Sequence, residues 1–182
     1  MRNAILSIII LHVFACSSGD KSKYYKEKPN MPEQRGENIT MVYTDSGELR
    51  AKMLSPLVEH YNHNKSNPIT LMSKGILVYF YKQDKSHPNS KLKANYATRF
   101  EQKQTVELKN DIEVVNEEGD TLNTEYLLWD EKTRMITSNA FVRIKKKKEI
   151  LYGEGFESNE DFSKYKIFKI KGTIYRDRAE IE

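Results

Sequence analysis

Residue types that could do chemistry are few and widely spaced in this 182-residue chain. His60 and His63 flank Tyr61-Asn62 in a polar stretch. That spacing could bind a metal ion only with ligands from elsewhere, because such sites need three or four ligands. Ser138 and Ser158 have no recognisable base partner, and no pair of carboxylates falls in a motif that faces one substrate. The sequence therefore predicts a binding or structural protein, with no enzymatic activity, no cofactor and no metal site.

The single cysteine, Cys16, carries the one covalent reaction that the sequence indicates. A small positive head and an almost wholly apolar run from Ala4 to Ala15 precede it, and polar residues follow, which is the outline of a secretory signal peptide. The end of this run resembles a bacterial lipobox, in which the cysteine thiol is diacylated and becomes the first mature residue. We therefore predict a signal peptide at residues 1–15 and lipidation at Cys16. An ordinary cleaved signal and a short anchor remain alternatives, although a membrane span needs about 20 apolar residues.

Charge and composition restrict the partners. The chain has 30 basic and 26 acidic residues, a formal net charge of +4 that is too small and too evenly spread to indicate nucleic acid. The longest basic run, Lys145 to Lys148, lies between two alternating segments and is interpreted as a hairpin tip or an edge guard. Residues 16–40 are polar and lysine-rich, so we predict a lipidated N-terminus followed by a flexible tether.

Residues 41–182 have the pattern of one β-domain. Apolar side chains alternate with polar ones in several segments, among them Leu92–Phe100 and Ile136–Ile144, and turn signals separate these segments. A strand is also predicted over Leu49–Leu57, closed by Pro56. Eleven tyrosines and seven phenylalanines favour β-structure, and no convincing helical period is present after the signal. The pattern predicts an all-β sandwich or open barrel.

The order of several segments is more specific than any one of them. These segments are Gly75–Tyr81, Ser90–Ala97, Gly119–Asp130, Met135–Ser138, Val142–Ile144, Gly153–Phe156 and Ile170–Ile174. In this order they resemble the LptC family, the periplasmic lipopolysaccharide-export proteins of the inner-membrane transporter.

The resemblance implies an open, twisted β-jellyroll of antiparallel strands. It also implies that the protein receives lipopolysaccharide from an LptB2FG-like ABC transporter and holds its acyl chains in a groove. It would then pass the lipid to an LptA-like bridge protein through edge-strand pairing. LptC usually has an N-terminal transmembrane helix, where this chain has a predicted lipid anchor. We therefore expect it at the periplasmic face of the inner membrane, docked through the first strands of its β-domain.

The predicted groove consists of residues that alternate with polar neighbours or lie in apolar runs, and a plain core is the alternative for each. They are Val78, Phe80, Tyr96, Phe100, Ile112, Val114, Leu128, Val142, Phe168 and Ile170. The last segment, Lys166 to Arg176, is the predicted edge for the next protein. Two other functions stay open: a soluble LptA-type bridge, and a surface or envelope lipoprotein with a structural or adhesive β-sandwich and no groove.

Overall fold

A computed structural model describes residues 31–62, 66–82 and 87–174. These residues contain twelve strands and no helix. The strands are β1 Gln34–Asp45, β2 Glu48–Tyr61, β3 Ile69–Met72, β4 Ile76–Phe80, β5 Ser90–Ala94, β6 Tyr96–Phe100, β7 Thr105–Val115, β8 Thr121–Asp130, β9 Met135–Lys145, β10 Glu149–Asn159, β11 Tyr165–Ile167 and β12 Lys171–Ile174. All pair antiparallel in one sheet, which confirms the all-β prediction and agrees with an open β-jellyroll.

Six strands of the sheet form a closed circuit. β2 pairs with β4 through Ala51–Leu54 and with β3 through Glu59–Tyr61. β7 pairs with β6 through Thr105–Lys109 and with β5 through Glu113–Val115. Because β4 pairs with β5 and β3 with β6, the ladder closes on itself around an interior. β1 extends the sheet from β2, and β8 to β12 extend it from β7. Among the described strands the sheet therefore has two free edges.

The first hairpin is longer at both ends than the sequence indicates. β1 begins at Gln34, within the region predicted as tether, and β2 continues through Pro56 to Tyr61. Pro56 is tolerated because pairing with β4 ends at Leu54 and pairing with β3 starts at Glu59. Pro56 therefore lies at a position where β2 donates no hydrogen bond to β3 or to β4.

Irregular pairing recurs midway along the later strands. The β7–β8 register shifts between Lys109 and Ile112, where Asn110 and Asp111 have positive φ angles of 65° and 50°. The β8–β9 register shifts between Thr124 and Leu128, and the β9–β10 register shifts next to Gly155. Bulges of this kind bend a strand and increase its twist. Together they curve the sheet around its buried face.

The core is the inner face of this curved sheet. Val106, Leu108 and Ile112 of β7 lie there beside Leu127 of β8 and Ile136 of β9. Burial of such apolar surface is the main stabilising contribution in a chain of this size, at about 25 cal/mol per Å². The basic run Lys145–Lys148 spans the end of β9 and the turn before β10, which confirms its interpretation as a hairpin tip.

Candidate functional site

Half of the predicted groove residues lie together in the packed interior. Val78, Phe80, Ile112, Val114 and Val142 are each at most 3% exposed and belong to one buried cluster. The Phe80 ring contacts two other aromatic rings in this cluster. Its centroid is 5.7 Å from that of Trp129 and 6.0 Å from that of Phe162. The structure thus brings these five side chains to one face and places them in a filled core.

Leu128 lies on the opposite face from the one predicted. Its neighbours Leu127 and Trp129 are the buried residues of this part of β8, whereas Leu122 and Thr124 are buried earlier in the same strand. The buried set therefore steps by three residues between Thr124 and Leu127, at the register shift with β9. Strict alternation through β8 assigns Leu128 to the interior, and this irregularity reverses that assignment.

Tyr96 and Phe100 also lie on the outer face. In β6, Ala97 pairs with the core residue Leu108, and Arg99 pairs with the core residue Val106. Tyr96 and Phe100 alternate with these interior positions and are only half-buried. A cation–π contact with Lys103, 5.4 Å from the ring centroid, covers Phe100 from outside.

Phe168 and Ile170 are exposed between two short strands. The predicted last strand from Lys166 is divided into β11 and β12, and both pair with β10. The break contains Lys169 with a φ of 46°, and it leaves Phe168 38% and Ile170 56% exposed. β11 and β12 form one free edge of the sheet within the residues that the structure describes.

Two further sequence predictions concern residues outside the described part. Cys16 and the predicted signal peptide lie there, and so does His63. Among the residues that are described, no cluster of three or more histidine, cysteine or acidic side chains could hold a metal ion. His60 is instead 3.2 Å from Glu101 and within hydrogen-bond distance of Thr70.

The interior opens into a cavity next to the first hairpin. This methionine cavity has a volume of about 390 Å³. Its apolar lining comes mainly from Met41, Met53, Met72, Val106 and Trp129. Met72, Val106 and Trp129 belong to the core, whereas Met41 and Met53 are half-buried and face each other as register partners across β1 and β2. The cavity is therefore continuous with the packed interior.

Charged residues at the cavity are paired with one another. Arg99 binds Glu131 through both Nε and Nη2, at 3.0 and 2.9 Å. This hydrogen-bonded pair raises the pKa of Arg99. Arg134 donates from Nε and Nη2 to one carboxylate oxygen of Glu160, and this hydrogen bond raises the pKa of Arg134. The pairs leave the apolar lining without an uncompensated charge.

The sequence prediction missed the methionine cavity. Three of the six methionines in the chain line it, and Met41 and Met53 lie on either side of the turn Ser46-Gly47, where a register shift next to Tyr43 makes them partners. Methionine side chains are unbranched and adapt to varied apolar shapes, so this pairing across a hairpin was the available signal. The interior position of Trp129 could be assigned only by knowing that β8 is irregular at its register shift with β9.

A second cavity, of about 440 Å³, lies elsewhere and has a different lining. It is bordered by Asn38, Ser55, Lys74, Lys93 and Asn95, together with apolar residues of β1, β2 and β4. Two residues of the core cluster, Ile76 and Ala94, line this second cavity. The methionine cavity is the better candidate because four core residues line it, Ala51, Met72, Val106 and Trp129, and because its charged side chains are paired.

Comparison with known proteins assigns the family. Residues 4–175 match the family model described as lipopolysaccharide-assembly, LptC-related, whereas no curated protein matches the chain. The family comprises lipopolysaccharide-transport components associated with the periplasm and inner membrane, and it is not a known enzyme family. The described part of the chain contains no helix that could span a membrane. The chain belongs to the LptC-related lipopolysaccharide-assembly family, which implies a role in lipopolysaccharide transport.

Proposed function

We propose that this protein carries lipopolysaccharide by taking its acyl chains into the methionine cavity. The observation that supports this is the cavity itself, a space of about 390 Å³ whose lining is mainly apolar and includes core residues. The five predicted groove residues that lie in the interior are packed in the core and do not line this cavity. The proposal therefore moves the binding site from those residues to Met41, Met53 and Met72.

The size and lining of the cavity fit part of a lipid. Ligand sites commonly enclose about 300 to 1,000 Å³, so this cavity is near the small end of the range. An acyl chain fits the apolar wall, whereas Arg99, Gln104 and Glu131 give the cavity a polar side for the sugar groups. Burying the chain removes apolar surface from water, which drives binding.

The two free edges provide a direction for transfer. β1 lies at one edge and β11 with β12 at the other, and each presents unpaired backbone groups in the described structure. A partner strand satisfies such groups by β-augmentation. In this proposal the β1 end docks to an inner-membrane ABC transporter and the β11–β12 end pairs with an LptA-like protein. Exposed Lys164 and Lys166 at that end favour an acidic partner edge.

The membrane attachment in this proposal is a lipid on Cys16. Stable anchoring generally needs two acyl chains, which a diacylated cysteine provides. The protein then stands at the periplasmic face of the inner membrane, linked through the residues before β1. Replacing Cys16 by serine should release it from membranes while leaving its far-UV circular dichroism unchanged.

A structural or adhesive envelope protein is the second candidate. The observation that favours it is the filled core, because Val78, Phe80, Ile112, Val114 and Val142 leave no groove among themselves. This function needs no lipid in the interior. The two candidates therefore differ in whether lipopolysaccharide reaches the methionine cavity.

Photo-crosslinking tests this difference. A methionine-sized diazirine amino acid at Met53 should capture purified lipopolysaccharide, because the half-buried Met53 side chain lines the cavity. The same group at Asn139, an exposed position of β9, is the control. Capture at Met53 well above Asn139 supports the carrier. Equal, weak capture at both positions rejects it in favour of the structural candidate.

A further inference from the structure

The second cavity contains a row of side chains that crosses four strands. Thr40, Leu54, Leu77 and Lys93 are successive register partners in β1, β2, β4 and β5, and all four line the cavity. Side chains in register on neighbouring antiparallel strands lie on the same face of the sheet, about 5 Å apart. The row therefore forms one continuous strip of the cavity wall.

This strip lies on the outer face of the sheet. The positions next to it in β2, β4 and β5 are Met53, Val78 and Leu92, which are also register partners. Val78 and Leu92 belong to the core, and Met53 packs against it. Because successive side chains of a strand alternate between the two faces, the strip points away from the core. Met53 borders the methionine cavity, so the strip and that cavity lie on opposite faces of β2.

Two lysines give the second cavity a positive charge. Lys93 ends the strip, and Lys74 lies in the turn between β3 and β4; both side chains are exposed. Among the residues that the structure describes, neither lysine forms an ion pair and no acidic side chain lines this cavity. In the methionine cavity, by contrast, Arg99 is paired with Glu131. The second cavity can therefore bind an anionic group from outside the chain.

The next row of the same face extends the positive charge beyond the cavity. Lys52, Tyr79 and Lys91 are register partners in β2, β4 and β5, two residues along from the strip. Both lysines are exposed, and Tyr79 is half-buried between them. Glu113 continues the strip as the register partner of Lys93, and its carboxylate is 4.0 Å from Lys91 Nζ. Lysines therefore outnumber carboxylates on these two rows. We call the following set the lysine face: Lys52, Lys74, Tyr79, Lys91 and Lys93.

The side chains of this surface fit an anionic phospholipid bilayer. Lysines attract the phosphate groups of anionic lipids, and tyrosine is favoured at the level of the headgroups. Leu54 and Leu77 give the second cavity an apolar floor, which suits the first methylene groups of a phospholipid. A free phosphate ion would leave this floor unused. The combination of cations and apolar floor therefore favours a lipid headgroup.

We propose that the lysine face docks on an anionic phospholipid bilayer, with one headgroup held in the second cavity by Lys74 and Lys93. This inference goes beyond the lipid-carrier function, because the ligand is the membrane and these lysines lie outside the methionine cavity. A few lysines attract a bilayer only weakly. The contact therefore orients a tethered protein, with the outer face of β2, β4 and β5 towards the membrane, and does not retain an untethered one.

Capture of phospholipid by a tethered protein tests the docking. The full chain is coupled through Cys16, its one cysteine, to a maleimide-bearing lipid in vesicles, so that every molecule stays at a bilayer. A benzophenone amino acid replaces Tyr79 on the lysine face or, as the control, Asn139, an exposed residue of β9. In vesicles of phosphatidylglycerol and phosphatidylcholine, capture at position 79 should exceed capture at position 139 by about tenfold. It should fall about threefold in phosphatidylcholine alone or at high salt.

Matched charge variants separate the cavity lysines from the net charge of the protein. Lys74→Gln with Lys93→Gln removes both cations of the second cavity. Lys132→Gln with Lys147→Gln removes two exposed cations from the β8–β9 and β9–β10 turns. Capture at position 79 in anionic vesicles should fall about threefold in the first pair and by less than about 1.5-fold in the second. Circular dichroism verifies the fold of each variant.

Several results would overturn the docking. Equal capture at positions 79 and 139 in anionic vesicles does so, and so does equal capture in the two charge variants. Loss of capture on adding millimolar glycerol phosphate would instead indicate a site for a soluble phosphate. If added lipopolysaccharide is captured at position 79 in place of phospholipid, the face binds the cargo and the bilayer assignment fails. Lipid in the methionine cavity is measured separately, by the crosslink at Met53.

Discussion

The interior is built differently beside the first hairpin and beside the later strands. Near β1 and β2, half-buried Met41 and Met53 border a cavity. Near β10 and β11, Phe156 packs against Phe162 and Tyr165 in stacked contacts and leaves only a small void. Flexible methionines suit an exchangeable occupant, whereas interlocked rings suit a permanent core. One continuous sheet can therefore have a receptive end and a rigid end.

The largest expected effect is a difference in the free energy of unfolding between a variant at the packed aromatic end and a variant at the cavity end. Phe156→Ala should lower the free energy of unfolding by about 3 to 5 kcal/mol, because it leaves a hole in the packed aromatic end. Met53→Ala should cost only about 1 kcal/mol, since Met53 already borders empty space. Urea denaturation of both variants measures the difference. Equal losses would remove the distinction between the ends.

Two adjacent leucines of β8 test which side chains of this strand face the core and which face outward. Leu127→Ala should cost about 2 to 5 kcal/mol, because Leu127 is fully buried in the core. Leu128→Ala should cost less than about 1.5 kcal/mol, because that side chain is half-buried on the outer face. The same urea measurement applies. A larger loss for Leu128 would contradict the irregular β8 face.

Glycine substitutions test how little room the rigid end has. A Cβ at Gly153 would lie 2.2 Å from Ile167 Cγ2 and 2.6 Å from the Phe168 carbonyl oxygen. Gly153→Ala should therefore displace β11 and destabilise the protein by about 1 to 3 kcal/mol. The comparison is Gly119→Ala, where space is open and the positive φ alone costs about 1 kcal/mol. Thermal unfolding followed by circular dichroism ranks the two, and an equal or smaller loss at Gly153 would disprove the close contact.

The smallest expected effect is a pH dependence of stability at the β8–β9 turn. Backbone N–H groups of Thr133 and Lys132 hold the pKa of the Asp130 carboxyl below its ordinary value of 3.8. A lowered folded-state pKa contributes stability above the unfolded pKa, and that contribution is lost as the pH falls through the folded value. Asp130→Asn should lower the urea midpoint slightly at neutral pH, and the gap should narrow below about pH 4. A gap that stays constant with pH would contradict this assignment.

The sequence was sufficient for the fold class but not for the face of every strand. Alternation correctly placed Val142 inside, because β9 keeps a period of two from Ile136 to Ile144. The same rule failed at Leu128, because the interior positions of β8 step by three residues near its shifted register with β9. Such an irregularity depends on how neighbouring strands pair, which local alternation does not encode.

The candidate site was less predictable than the fold for a related reason. The predicted groove residues alternate with polar neighbours or lie in apolar runs, and both patterns are typical of side chains that pack closely between strands. A cavity forms where packing is incomplete, and here it is bordered by Met41 and Met53 across one hairpin.

The central claim is that lipopolysaccharide binds through the methionine cavity, and equilibrium binding to cavity variants tests it most directly. Purified lipopolysaccharide is titrated against the parent protein, Met53→Gln and Met53→Leu, with folding verified for each. Gln keeps the length of Met53 and adds an amide that an acyl chain cannot hydrogen-bond, so the account predicts about tenfold weaker binding. Met53→Leu should bind within about twofold of the parent. Equal affinity of the parent protein and Met53→Gln would contradict the account.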